Sequence, residues 1–230
     1  MHQDIKSLLI PFFVPDLKRY GGESDGGYIL SENLLLNTKY IYSYGIGGNE
    51  ESITFDRHIS LLNKDIYMYD GTIDKFWKEG DKFHFRKESV SSENIYRHIQ
   101  ENNHIDMTNM ILKMDVEACE YETLLNCDQN LFIHFNQITI ELHGVISSFK
   151  NEAIKLFNLL NNIYYLVHIH GNNHDIIVED GVCNTLELTY IRKDCFNEDL
   201  CILQEPCPRA KLDYPNYLYR NDIVMNWWLE

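Results

Sequence analysis

The sequence is short of positive charge. Twenty lysines and arginines stand against 35 aspartates and glutamates, giving a formal charge of −15 at pH 7. A field of that sign repels a nucleic-acid backbone unless basic residues are concentrated locally. The basic clusters present (LKRY, RKES and YIRKD) are short and not interleaved with aromatics, so nucleic acid is not an expected partner. Long apolar runs are missing too, and none approaches the length of a membrane span. The opening MHQDIKSLLIPFFVPD lacks a basic start and a small-residue cleavage site, and acidic residues flank its apolar stretch. It makes a poor signal peptide, and a cytoplasmic address is the default. The six cysteines, Cys119, Cys127, Cys183, Cys195, Cys201 and Cys207, include no CxxC pair. Neither a zinc knuckle nor a thioredoxin-type site is suggested. A chain with a full core does not need a disulfide framework, so reduced, mostly buried thiols are expected. Internal repeats and low-complexity linkers are absent as well.

What is there suits one good-sized core: 230 residues, 44% hydrophobic and 24% charged. Apolar, β-rich runs alternate with amphipathic ones. Lys39 to Tyr44 reads as a strand, Glu51 to Leu62 as a helix, and DIYMYD, ending at Asp70, as a second strand. KFHFRKESV alternates as a third strand, and SSENIYRHIQENN follows as a serine-capped helix. MILKMDVE and QITIELHG are strands of the fully buried type, with a helix, EACEYETLLN, between them. SSFKNEAIKLFNLLNN is the clearest amphipathic helix, again capped by serine. YYLVHIHGNN and NTLELTYIRK close the series with no room for a helix between them, which predicts an antiparallel hairpin at one edge. The alternation predicts a mainly parallel sheet with helices on both faces. A single domain over 1–230 is expected, with a lead-in over 1–38, a core over 39–193 and a tail over 194–230 packed on that core.

In GIGGNEES, Gly45, Gly47 and Gly48 sit where the first strand turns into the first helix. Glycines there permit a tight turn and close approach of a ligand to the backbone. Asp70 lies 23 residues beyond Gly47, a spacing that suits a carboxylate accepting from both ribose hydroxyls. The dinucleotide fingerprint GxGxxG fails at its last glycine, which is Glu50. The pair Glu50-Glu51 also places negative charge where a pyrophosphate needs positive character. S-adenosylmethionine, with no phosphate and a cationic sulfonium, fits the acidic loop better than NAD. An ordinary glycine turn is the plain alternative.

Three strands end alike, in Asp115-x-Glu117, Glu141-x-His143 and His168-x-His170. Ligands of parallel sheets bind beyond the carboxyl ends of the strands, so the three pairs are expected to converge on one pocket. Such a group could coordinate Mg or Mn, or supply a histidine as general base. Asn172 and Asn173 extend the rim and suit hydroxyl recognition. DGGY at 25–28 and LDYPN at 212–216 read as turns too short to carry function. Trp227 and Trp228 read as packing or as an oligomer contact, a homodimer being open.

The ordered series SDGGYIL, YSYGIGGNEESITFD, YMYD, LKMDVEACEYETL, ITIELHG, HIHGNN, LELTYIR and LDYPN resembles the FkbM-like S-adenosylmethionine-dependent methyltransferases, roughly from Gly21 to Asn216. The family's D-x-E-G-x-E has Ala118 in place of its glycine, which puts the local backbone in question. The resemblance implies a class I methyltransferase (Rossmann-like) fold: α/β, seven strands, mainly parallel, the last one antiparallel. It implies that Tyr44, Gly45, Gly47 and Asp70 line the cofactor, with Asp115 and Glu117 also at the cofactor and bordering the methyl donor and acceptor. It also implies O-methylation of sugars, polyketides or other small metabolites, and a sugar or nucleotide-sugar for surface glycans is the expected acceptor.

An alcohol needs a base or a metal to become nucleophilic. The candidate catalytic residues are Asp115 with His170 or His143 as base. The candidate metal set is Asp115, Glu141 and His143, so His143 is claimed twice. Three rivals stand: an NAD-dependent oxidoreductase, a non-catalytic interaction domain on a degenerate methyltransferase core, and a metal-dependent hydrolase built on the histidines.

Overall fold

A computed structural model describes residues 4–76 and 80–229, so the first three residues of the opening apolar stretch fall outside it. Its sheet is built from the apolar runs. β3 (Tyr40–Tyr44), β4 (Asp65–Tyr69), β5 (Phe83–Arg86), β6 (Met110–Met114) and β7 (Phe135–Leu142) pair in parallel. Side chains of a strand alternate between its faces, and here the two faces feed different cores. Ile41, Ile66 and Ile111 point into one cluster with β1 (Leu17–Tyr20), β2 (Tyr28–Ser31), α1 (Glu32–Asn37) and α2 (Thr54–Leu61). Tyr42, Tyr44, Leu112 and Met114 point into the other, with α3 (Ile95–Glu101), α4 (Glu120–Asn126) and α5 (Lys150–Ile163).

The expected seven-stranded, mainly parallel sheet with a reversed last strand and helices on both faces is what forms. The order is β5-β4-β3-β6-β7-β11-β8, where β8 is Tyr164–Gly171 and β11 is Leu186–Arg192. β11 is antiparallel to both neighbours. It therefore does not sit at the edge as one arm of a hairpin: it inserts between β7 and β8, and β8 is the edge strand. A small hairpin, β9 (Val178–Glu179) and β10 (Val182–Cys183), lies in the connection.

Several local expectations are corrected. The helix expected from Glu51 to Leu62 is α2 and starts at Thr54, so Glu50 and Glu51 lie in the preceding turns. α3 has Asn94 at its N-cap, and its side chain accepts from Ser91 N. α5 starts after Phe149 with no side-chain cap, because the Ser147 hydroxyl donates to Asn184 Oδ1 at 2.8 Å instead. All six cysteines are free, but only Cys127, Cys183 and Cys207 are buried.

The lead-in is built into the molecule. β2 crosses over β7 and β11, and its backbone groups are met by polar side chains of those strands. Gln137 accepts from Ser31 N at 2.8 Å, and the Thr189 hydroxyl donates to Ile29 O at 2.7 Å. Buried polar groups need such partners, which explains why Gln137 and Thr189 are tolerated in the buried strands β7 and β11. The tail after β11 pairs with residues 11–13 and then returns across β8. The paired tryptophans serve packing: Trp227 and Trp228 lie against the core and donate to Lys6 O and Glu205 O. Among the described residues, no helix is long and apolar enough to cross a membrane.

Candidate functional site

The sheet changes direction between β3 and β6, whose crossovers lead to opposite sides, and ligands of open α/β sheets gather at such a point. Gly45 follows β3 there with φ +70°, and a Cβ on it would lie 1.6 Å from the carbonyl oxygen of Asp115. Only glycine fits. Lys113, buried in β6, donates its ammonium to the Gly45 carbonyl and stands 3.7 Å from Asp115 Oδ2. Tyr28 donates its hydroxyl to the same Oδ2 at 3.0 Å. Burial first, and then the Asp115 charge, push the Tyr28 phenol well above its usual range, so it stays a donor and fixes that carboxylate.

Asp70 accepts from Ile46 N (3.1 Å) and Gly47 N (3.2 Å) with one oxygen, and from Thr72 N (2.7 Å) and Thr72 Oγ1 (2.6 Å) with the other. Burial opposes its ionisation, but the hydrogen bonds from Thr72 and the loop outweigh that and hold the carboxyl below its ordinary range. Four donors fill a carboxylate's lone-pair sites. Asp70 thus braces the glycine loop, and the Thr72 hydroxyl is the side-chain donor that a ribose hydroxyl would have to replace. Tyr44 is placed differently from expectation. Its side chain is fully buried on the α3 face with its hydroxyl 3.1 Å from His98 Nδ1, so only its backbone reaches the loop.

Beyond β6 and β7 lies a depression of about 310 Å³ walled by Asp25, Asp115, Glu117, Glu141, His143 and Asn172. His174, Asp175 and Thr185 close its far side. Every lining side chain is polar. His143 holds its Nδ1 3.3 Å from Glu120 Oε1, while Nε2 faces Glu117 at 3.7 Å and Glu141 at 3.9 Å. Burial lowers the imidazole's proton affinity, but the hydrogen bond and charge of Glu120, with Asp115 and Glu117 behind it, raise its pKa overall. Glu120 is itself buried and also accepts from Val116 N at 3.0 Å, so the ring is set by a fixed carboxylate. Burial, followed by the charges of Asp115, Glu187 and Asp25, pushes the Glu141 carboxyl well up. Glu117 has φ +54° and Ala118 φ +77°: the turn that a family glycine would ease is made here by two left-handed non-glycine residues.

The third histidine pair does not join the depression. His168 Nε2 lies 2.7 Å from Asp213 Oδ1. His170 faces Glu187 with Nδ1 and Asp222 with Nε2, both at 2.9 Å, and has no exposed surface. Burial disfavours its charge, yet the bonds to Asp222 and Glu187 prevail and lift its pKa to about 10. An imidazolium held at both nitrogens cannot take a substrate proton. The metal set drawn from sequence is also divided. Ligand atoms that approach within 4.8 Å of one another belong to Asp115, Glu117 and His143 on one side, and to Asp25, Glu141 and Glu187 on the other. Asn172 lines the depression, whereas the Asn173 amide binds the tail through Tyr217 and Arg220.

Sequence reasoning missed Tyr28, Asp25, Lys113, Glu187 and the tail residues Asp213, Asn216 and Asp222. The two turns set aside as too short, DGGY and LDYPN, carry four of them. A lysine in MILKM and a glutamate in LELTYI, each inside a buried strand, were the other available signals.

Over residues 23–173 the sequence matches the methyltransferase FkbM domain. The chain belongs to the FkbM methyltransferase-domain family. No curated protein matches it. A solved structure of bluetongue virus VP4, described as a multifunctional RNA-capping production line, is similar at 14% identity with a TM-score of 0.40. The match takes in 84% of this chain and 33% of the viral one, so the chain spans about a third of that protein, and the likeness is too loose to support an argument. The matched span includes the glycine loop and the DVEACE segment with Asp115.

Proposed function

We propose that this FkbM-family chain is an S-adenosylmethionine-dependent O-methyltransferase of class I topology, acting as one domain on a hydroxyl of a small polar acceptor. The observation that carries the reading is His143, set by Glu120 and turned toward a depression with no apolar wall. The strand order, with its reversed strand between β7 and β8, supports the class I assignment. The donor set fits the cofactor: Asp70 and Asp115 flank the loop, the Lys113 ammonium there is spent on the Gly45 carbonyl and Asp115, and no lysine or arginine lines the depression. Gly45 to Gly48, Asp70 and Asp115 would hold it. When bound, it supplies an electrophilic methyl group on a sulfonium.

The protein's own share is positioning and proton handling. Oriented reactants can gain several orders of magnitude in rate. Asp115, fixed by Tyr28 and Lys113, would accept from an acceptor hydroxyl or help hold the cationic cofactor. His143 Nε2 would take the acceptor hydroxyl proton as that oxygen receives the methyl group the cofactor supplies, and Glu120 would stabilise the resulting imidazolium. Carboxylates on the walls favour a neutral, hydroxyl-rich acceptor, a sugar in preference to a nucleotide-sugar whose diphosphate they would repel.

The test is transfer of labelled methyl from S-adenosylmethionine to a panel of free sugars, glycosides and nucleotide-sugars. Label is expected in a sugar methyl ether, with turnover lower by about 10²–10⁴ in His143→Gln. No label in any hydroxyl acceptor, or full turnover by His143→Gln, would count against the assignment.

A further inference from the structure

The turn after His143 carries an aromatic pair. Gly144 holds φ +71°, and a Cβ on it would lie 2.7 Å from Phe149 Cδ2. Its missing side chain lets the Phe149 ring settle against the turn, where Phe149 N also donates to Gly144 O at 3.0 Å. The ring stacks on Tyr121, with centroids 5.2 Å apart and planes 20° from parallel. Tyr121 in turn donates its hydroxyl to the His143 carbonyl at 2.9 Å. The pair is therefore fixed to the same backbone that carries the candidate base.

Beside it, between α4 and α5, lies a cleft of about 800 Å³. Glu117 lines both this cleft and the depression, so the two adjoin. Their linings differ in kind. The side chains around the depression are all polar, whereas Tyr121, Leu125 and Phe149 give the cleft an apolar surface, and Phe149 and Leu125 are only half-buried. Glu122, Asn126, Glu152 and Lys155 add hydrogen-bonding groups around it. An aromatic surface with a few polar groups in a hollow of this size suits a small ligand. A pyranose ring has the matching character: an apolar face of C–H groups and a circumference of hydroxyls. The carboxylates of Glu117, Glu122 and Glu152, against the Lys155 ammonium, disfavour an anionic one.

We propose that this cleft is a second acceptor subsite, which holds the neutral sugar unit next to the one that is methylated. The assignment rests on the sugar-acceptor reading above and narrows it to a saccharide of two or more units. A glycosidic link is one shared oxygen, so a neighbouring unit must lie directly beside the reacting one, as the cleft does beside the depression. Phe149 supplies the surface for its C–H face, and Glu122 accepts from its hydroxyls.

The experiment is titration of the full chain, without cofactor, with glucose, galactose, mannose, rhamnose and N-acetylglucosamine, and with their di- and trisaccharides. Binding is read by saturation-transfer NMR. At least one of the longer saccharides should bind about 10-fold more tightly than its own monosaccharide. Phe149→Ala should remove that gain, and Glu122→Ala should cut it about 3-fold or more, with monosaccharide binding unchanged in both. The thermal midpoint of each variant checks that it is folded. Glu122 is exposed, so its variant keeps the test open if Phe149→Ala loses its fold. Equal binding of short and long saccharides, or no binding of either, would overturn the subsite. So would a gain that survives in the folded variants, which would place the second unit elsewhere. Because the readout needs no methyl transfer, failure of the subsite and failure of the methyltransferase reading are distinguishable.

Discussion

Ala118 holds φ +77° directly after Glu117 at +54°. A left-handed conformation costs a residue with a Cβ about 1–2 kcal/mol, and strain of this kind gathers at functional turns. Here the turn presents Asp115 and Glu117 to the depression and leads into α4, which supplies Glu120. Ala118→Gly should relieve the strain, partly offset by the freer unfolded chain. The net expectation is about 1 kcal/mol of stabilisation, read as a rise in Tm of about 2–4 °C for a chain of this size. A drop in Tm would show that the alanine methyl packs usefully and that the turn is not strained. The identities of the loop residues were legible in the sequence at this scale, since glycine and acidic motifs are local. Their states were not: that Asp70 commits its oxygens to Ile46, Gly47 and Thr72, or that both nitrogens of His170 are taken, follows from contacts the sequence does not encode nearby.

Among elements, the buried runs MILKM and QITIEL announced their strands by composition, and α5 by its period. The placement of β11 between β7 and β8 was hidden, because YYLVHIHG and LELTYIR read equally well as an edge hairpin. That placement sets Glu187 beside both Glu141 and His170, and it is why the third histidine pair serves the tail instead of the depression. Asp213 of the tail shows the same dependence. Burial works against its charge, but His168 outweighs burial and holds its pKa near 2, below the ordinary 3.8. A depressed carboxyl stabilises the fold above its unfolded pKa, and that contribution is lost as pH falls through the folded one. Asp213 therefore contributes about 2 kcal/mol above pH ~4 that disappears toward pH ~2. Asp213→Asn should lower the denaturant midpoint at pH 7, with the gap to the parent closing over that window. A gap that stays constant from pH 7 to 2 would mean that the carboxylate's charge is not what matters.

For the molecule as a whole, the charge of −15 and the carboxylates of the depression act together. Between a free sugar and its nucleoside-diphosphate form, the free sugar should bind more tightly. The difference should narrow as salt rises, since charges are screened over about 10 Å at 0.1 M. Competition titrations at low and high salt check this, and preference for the diphosphate at low salt would reverse the acceptor assignment. The acidic composition was plain in the sequence. So was the meeting of Asp115, Glu117 and Glu141 at neighbouring strand ends, but the addition of Asp25 was not, because it joins them only when the lead-in lies across the sheet.

The central claim is that the loop from Gly45 to Gly48, braced by Asp70, holds the adenosyl cofactor. Calorimetric titration with S-adenosylhomocysteine, with NAD as comparator and Gly45→Ala as control, tests it directly. Saturable one-to-one binding of the homocysteine compound is predicted, with none of NAD and a loss of about 100-fold or more in Gly45→Ala. Absence of binding by the folded parent protein, or binding of NAD in its place, would contradict it.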